Sequence, residues 1–436
     1  MTRNSEIPQT SNFALQTSRG GLAPQRSVLD NGVVVLAKAA RMTPAVAIHV
    51  AVRAGSAYDP AGAEGTTWLL SRVFDRGTRT RSTADVAEEL DSRGITLTVQ
   101  ITRHLFTATC TCLAEDFEPV LSLIAEMVTS PSLPDTELAT RKGEVVTAIR
   151  QDEDNPAVRA NETLMARLYP HGHPYGRRTK GSPAIVERLT RDDLLRQHAA
   201  QFSPAALTVV VVGDVDPSRA RDVTARALGS WRTDAPAPLV LPPAVPATDR
   251  TRVVIPMMNK SQADIAYGVT SIARRDSDYY AMWLMNVAFG QYAIGGRLGD
   301  NIRERQGMAY YVSSSFDANV VAGPLVIRAG VSAANVDRAI ASIDEEIDRL
   351  LRDGLTEKEF DESRRYLIGA MPRALETNAA IANFLQTSEF FDLGLDYDVQ
   401  LPDLLRSVTL DAAHAAAKRV LSTDRATVVV AGPYQS

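Results

Sequence analysis

Two kinds of apolar spacing alternate along this chain. Unbroken or alternating apolar runs mark strands at Gly32–Leu36 and Val46–Val52, and the wholly apolar run after Thr208 up to Val212 predicts a strand buried on both faces. Apolar positions three and four apart predict helices over Thr66–Phe74, Thr83–Arg93, Asp116–Thr129 and Asp135–Gln151. Ile95–Arg103 and Leu105–Cys112 read as a hairpin, and Thr190 is placed to cap a further helix. Strands interleaved with segregated helices predict an α+β fold with an antiparallel-rich sheet covered by helices on one face.

The pattern then repeats. Ala206–Gly213 recurs as Arg425–Gly432 and Phe117–Ile124 as Val336–Ile343, each pair 219 residues apart, and the helix from Leu133 recurs 222 residues later at Leu355. Between the copies, Asp234–Thr248 holds five prolines, which forbid a regular helix and favour an extended connector. The expected organisation is a polar segment over 1–25, a first domain over 26–233, a linker over 234–250 and a second domain over 251–436.

Composition narrows the classes of function. With 436 residues, two or more cores are expected, and 45% hydrophobic with 23% charged residues is ordinary for a globular protein. A net charge of −5 gives no electrostatic reason to expect nucleic acid or an anionic membrane as partner. Cys110 and Cys112 share one face of a β-like run, a poor geometry for a disulfide, and read as apolar filler. Met1–Ala23 is polar, without the apolar core of a secretory signal, and no run is long enough for a membrane span. The expected compartment is the cytoplasm, or the periplasm if a signal has been removed.

Four stretches carry more specific information: Ala54–Asp59, Gly65–Thr78, Pro170–Arg177 and Gly295–Tyr310. In this order and spacing they resemble the pitrilysin superfamily, specifically the mitochondrial-processing-peptidase-like subunits of the bacterial two-subunit type. The resemblance runs from about Asn31 to Gly432. It implies two homologous α+β domains and directs attention to Gly65–Thr78, where such peptidases carry an H-x-x-E-H zinc motif. Here Trp68 stands for the first His, Ser71 for the Glu and Arg72 for the second His, and Ala148 falls where the third ligand, a Glu, is expected. A guanidinium has no free lone pair and repels the ion, an indole offers only an N–H, and Ser71 has no carboxylate to take a proton from a bound water. Glu144, a turn before Ala148, finds no fellow ligand in Trp68 or Arg72. His49, His104, His198 and His414 have no second His at helical spacing, and His171 with His173 reads as an ordered loop.

The resemblance also implies what is kept. Arg303 and Tyr310, seven apart, match an Arg-(x)6-Tyr pair that reaches across to substrate held at the zinc of another half. A phenol can donate to the oxyanion formed on a scissile carbonyl, and a guanidinium can fork onto peptide carbonyls. Gly295-Gly296 lacks the frame of a phosphate cradle and reads as a close backbone approach. The implied function is the non-catalytic subunit of a heterodimeric zinc endopeptidase. No metal or cofactor belongs to this chain, zinc resides in a homologous partner subunit, and peptide is the substrate. The alternative is a catalytically inert scaffold or peptide-binding protein of the same fold. A nucleophilic enzyme built on Ser71 would need a His or Lys base that the motif does not supply.

Overall fold

The computed structural model describes residues 21–237, 239–291 and 295–435. Strands β1 (Gln25–Val28), β2 (Val34–Ala39), β3 (Ala45–Val52), β4 (Thr98–Ile101), β5 (Phe106–Leu113) and β6 (Leu207–Gly213) form one sheet in the order β1-β2-β6-β3-β5-β4. Strands β7 (Thr251–Pro256), β8 (Ala263–Thr270), β9 (Ala309–Phe316), β10 (Pro324–Val331) and β11 (Thr427–Gly432) form the other, in the order β7-β11-β8-β10-β9. Without β1 the two orders match term by term. In each sheet a single pair is parallel, β2 with β6 and β7 with β11. The sequence repeat is therefore a repeat of topology.

The helices of the first half are α1 (Thr66–Val73), α2 (Thr83–Asp91), α3 (Phe117–Thr129), α4 (Asp135–Glu153), α5 (Pro156–Leu168), α6 (Pro183–Arg188), α7 (Arg191–Gln201) and α8 (Pro217–Leu228). Those of the second half are α9 (Tyr279–Asn286), α10 (Val336–Asp353), α11 (Glu357–Ala374), α12 (Asn378–Phe391), α13 (Tyr397–Ser407) and α14 (Leu410–Val420). Local chemistry sets their ends. Thr190 and Asp193 form a reciprocal capping box at the start of α7, as the Thr cap predicts. Cys110 and Cys112 are both free and buried on one face of β5, and burial pushes both thiols up to about 12.

One expectation needs correcting. The sheets are covered on both faces, not one. Each half packs its own helices on one face of its sheet, giving one core around Val50, Leu70, Phe74 and Ile124 and another around Tyr267, Met282, Ile327 and Ile343. The opposite face receives a helix from the other half. Leu164, Met165 and Leu168 of α5 pack on Ala266, Val326 and Val429 of the second sheet, and Ile381, Ala382 and Leu385 of α12 pack on Leu36, Ala47 and Val210 of the first. Such a sheet has no solvated face, which explains the unbroken apolar runs of β6 and β11. Periodicity read within one half shows an apolar face without showing that a distant helix fills it.

Candidate functional site

The helix α1 is fixed at its N-terminus by a carboxylate from outside it. Asp59 accepts from the amides of Gly65 and Thr67, both at 2.8 Å, and from the Thr67 hydroxyl at 2.6 Å, occupying donors that a helix start otherwise leaves free. Burial raises its pKa to about 6 against these hydrogen bonds. Gly65 sits at φ +94°, and a Cβ there would lie 2.4 Å from the Lys180 carbonyl oxygen, so only glycine admits this approach.

The four positions expected to have lost the zinc motif are Trp68, Ser71 and Arg72 on α1 and Ala148 on the neighbouring α4. Trp68 is half-buried against the first core, and the Lys180 ammonium lies 5.4 Å from its ring centroid while pairing with Asp152 at 2.6 Å. Ser71 is buried and donates to the Trp68 carbonyl at 2.7 Å, a bond back along its own helix that leaves no base beside it. Arg72 is exposed. Its charge is felt by Asp75 and Glu144, which also face Arg76 and Arg141. Arg141 binds Glu144 at 2.6 Å and Lys180 binds Asp152, so the carboxylates one turn to either side of Ala148 on α4 are already held by cations, and the Arg141 bond lowers the Glu144 pKa. The residues present do not fit zinc. They form an ion-pair cluster with an indole at one side, and among the described residues no group of three or more His, Cys, Asp or Glu could hold a metal ion.

Four of the six histidines serve structure. His173 accepts from the Tyr175 amide at 3.0 Å and bonds the Pro242 carbonyl of the linker, while His104 bonds the Tyr175 hydroxyl at 2.6 Å and is pushed down to about 4 by burial. His198 and His414 each bond a helix carbonyl, of Val128 and Leu351.

Arg303 and Tyr310 lie at one end of the second sheet. Arg303 belongs to a π-helical segment, Gly299–Arg305, and among the described residues its only ion pair is a long 3.5 Å contact to its neighbour Glu304. The segment is pinned from beneath. Asn301 donates to Glu346 of α10 at 2.6 Å and accepts from Gln306 at 2.9 Å, while Ile302 is fully buried. Gly307, at φ +60°, turns the chain into the edge strand β9. Tyr310, the second residue of that strand, is 81% exposed, whereas the next residue, Tyr311, turns to the opposite face and donates to Asp264 at 2.5 Å. Gly296 approaches Gly290 so closely that a Cβ would lie 3.0 Å from its Cα, in keeping with the close approach expected of the Gly-Gly pair.

The four α1/α4 positions are thus brought together on two packed helices. Arg303 and Tyr310 flank one turn elsewhere, and among the described residues no hydrogen bond, ion pair or ring contact joins them to that cluster. Lys180 and Glu346 act across large separations in the chain and carry no local sequence signal, Asp59 reaches α1 through the fold of the intervening loop, and Arg141 with Glu144 is an i,i+3 pair on α4.

Residues 34–180 match the profile described as insulinase (peptidase family M16), and residues 188–367 match the peptidase M16 inactive domain. The chain belongs to the M16 peptidase family. Similar proteins include an uncharacterized zinc protease of Streptomyces coelicolor, 26% identical over 94% of this chain and 89% of that protein. A protein of Helicobacter pylori named non-peptidase homolog YmxG is 23% identical over 87% of each chain. Among solved structures, a peptidase M16 inactive domain from Pseudomonas fluorescens superposes with a TM-score of 0.88 at 26% identity, over 95% of this M16 chain and 99% of that one. The two-domain α+β architecture is that of the family. No helix among the described residues is long and apolar enough to cross a membrane.

Proposed function

We propose that this M16 protein is the non-catalytic subunit of a heterodimeric zinc endopeptidase, with domains over 26–233 and 251–436 joined by the 234–250 linker. It lends Arg303 and Tyr310 to substrate held by a homologous zinc-bearing partner. The observation that carries the reading is Tyr310, a phenol 81% exposed on an edge strand beside a half-exposed Arg303. A large amphipathic ring left in solvent while its neighbour Tyr311 is packed is best explained by something that comes to it.

The chemistry at each atom is specific. The Tyr310 hydroxyl donates to the oxyanion that develops on the scissile carbonyl, and the Arg303 guanidinium donates to neighbouring peptide carbonyls, orienting the strand. The partner's zinc supplies the activation of water. Backbone addition of the peptide to a sheet edge accounts for binding without a deep side-chain pocket. The name of the Helicobacter pylori relative is consistent with a member that is no peptidase by itself.

Metal analysis of the isolated chain tests the first half of the reading: no stoichiometric zinc and no peptide cleavage are expected. Activity is expected on mixing with an H-x-x-E-H partner. Tight zinc at α1 overturns the proposal, and a reconstituted enzyme indifferent to Arg303→Ala and Tyr310→Phe leaves the inert scaffold as the better description.

A further inference from the structure

A cavity of about 350 Å³ lies where the two halves and the linker meet, away from both groups described above. Its size falls at the lower end of the roughly 300–1,000 Å³ typical of small-molecule sites. Three parts of the chain wall it. Arg53, Tyr58 and His104 come from the first half, Phe390 from the second, and Leu239 and Leu241 from the linker.

The lining is mainly apolar with one charge. The Arg53 guanidinium stands 5.3 Å from the centroid of the Phe390 ring and has no carboxylate partner among the described residues. The carboxylates nearby are committed elsewhere: Asp317 to Arg103 at 2.6 Å, Glu389 to Arg26 at 2.9 Å, and Asp59 to the start of α1. His104 is tied to Tyr175, and burial keeps it neutral. The cavity therefore offers a single unmatched positive charge at an aromatic wall.

We propose that this cavity binds a small organic carboxylate with an apolar body, its charge on Arg53 and its body against Phe390, Leu239 and Leu241. Charge complementarity selects the anion, and the apolar walls reject a bare inorganic one. The shared chemistry belongs equally to a free aliphatic acid and to the carboxy terminus of an apolar peptide. Binding there would clamp the linker against both halves. The inference is independent of the peptidase reading, since it needs neither Arg303 nor Tyr310.

Calorimetric titration of the full chain with octanoate and with N-acetyl-leucine tests it, with octanol as the uncharged control. Saturable binding of one equivalent of either acid is expected, with octanol at least about tenfold weaker. Arg53→Ala should weaken binding by at least about tenfold and Arg53→Lys should retain most of it, while Ala237→Trp, which fills the cavity from the linker side, should abolish it. Octanoate alone identifies an aliphatic acid as the source, and N-acetyl-leucine binding equally well identifies a peptide terminus. No saturable binding of either acid, or binding unchanged in a folded Arg53→Ala protein, overturns the proposal.

Discussion

The misfit between α1 and zinc is clearest residue by residue. Arg72 cannot ligate and Ser71 spends its hydroxyl on the Trp68 carbonyl, while Asp59 anchors the start of the helix. Replacing Arg72 by Ala should shift stability by less than about 0.5 kcal/mol, because the side chain is exposed, whereas Asp59→Ala should cost about 1–3 kcal/mol by freeing buried donors. Urea unfolding of both variants checks the contrast. Asp59 also predicts a pH dependence. Its folded pKa of about 6 exceeds the ordinary 3.8, so the folded state holds more protons in between. The stability it contributes is complete below pH 3.8 and is lost as pH rises through 6, at up to about 1.4 kcal/mol per pH unit. Unfolding midpoints from pH 4 to 7 should show that slope in the wild type and lack it in Asp59→Asn. The identities at 68, 71, 72 and 148 were legible in sequence; Asp59 as anchor and Lys180 as the cation beside Trp68 were not, because the first depends on how a loop folds back on α1 and the second on a residue distant in the chain.

At the scale of elements, the segment that carries Arg303 departs from the α-helix, and such π-turns are often found where function requires a particular aim. Glu346, 1% exposed, holds it through Asn301. Glu346→Ala should expose the amides of residues 299–305 to faster hydrogen exchange and lower stability by about 1–3 kcal/mol. Gly296→Ala should cost a similar about 1–3 kcal/mol by forcing the chain away from Gly290. Strands and helices of the first half were mostly visible as apolar periodicity. The helix α5 was not singled out: it begins at an Asn155–Pro156 start signal, but its apolar face answers to a sheet in the other half rather than to its neighbours in sequence.

At the scale of the whole molecule, the exchange of α5 and α12 makes each half complete the other. Leu164 is fully buried on the second sheet and Leu385 is 2% exposed on the first. Truncation of either to Ala should cost about 2–5 kcal/mol, and calorimetry should show both halves melting in one transition. The duplication could be read from the chain itself, since the repeat in sequence is a repeat in topology. The mutual covering could not, because burial between halves is a property of their docking.

The same docking leaves Tyr310 outside, at an edge, with no hydrogen bond or ring contact to the cluster on α1 and α4 among the described residues. The most direct test of the central claim is the turnover of the enzyme reconstituted from this chain and an H-x-x-E-H partner, compared between wild type and Tyr310→Phe. Loss of the oxyanion donor should lower kcat by about 10²-fold with KM nearly unchanged. An unaltered kcat in an intact heterodimer would contradict the account.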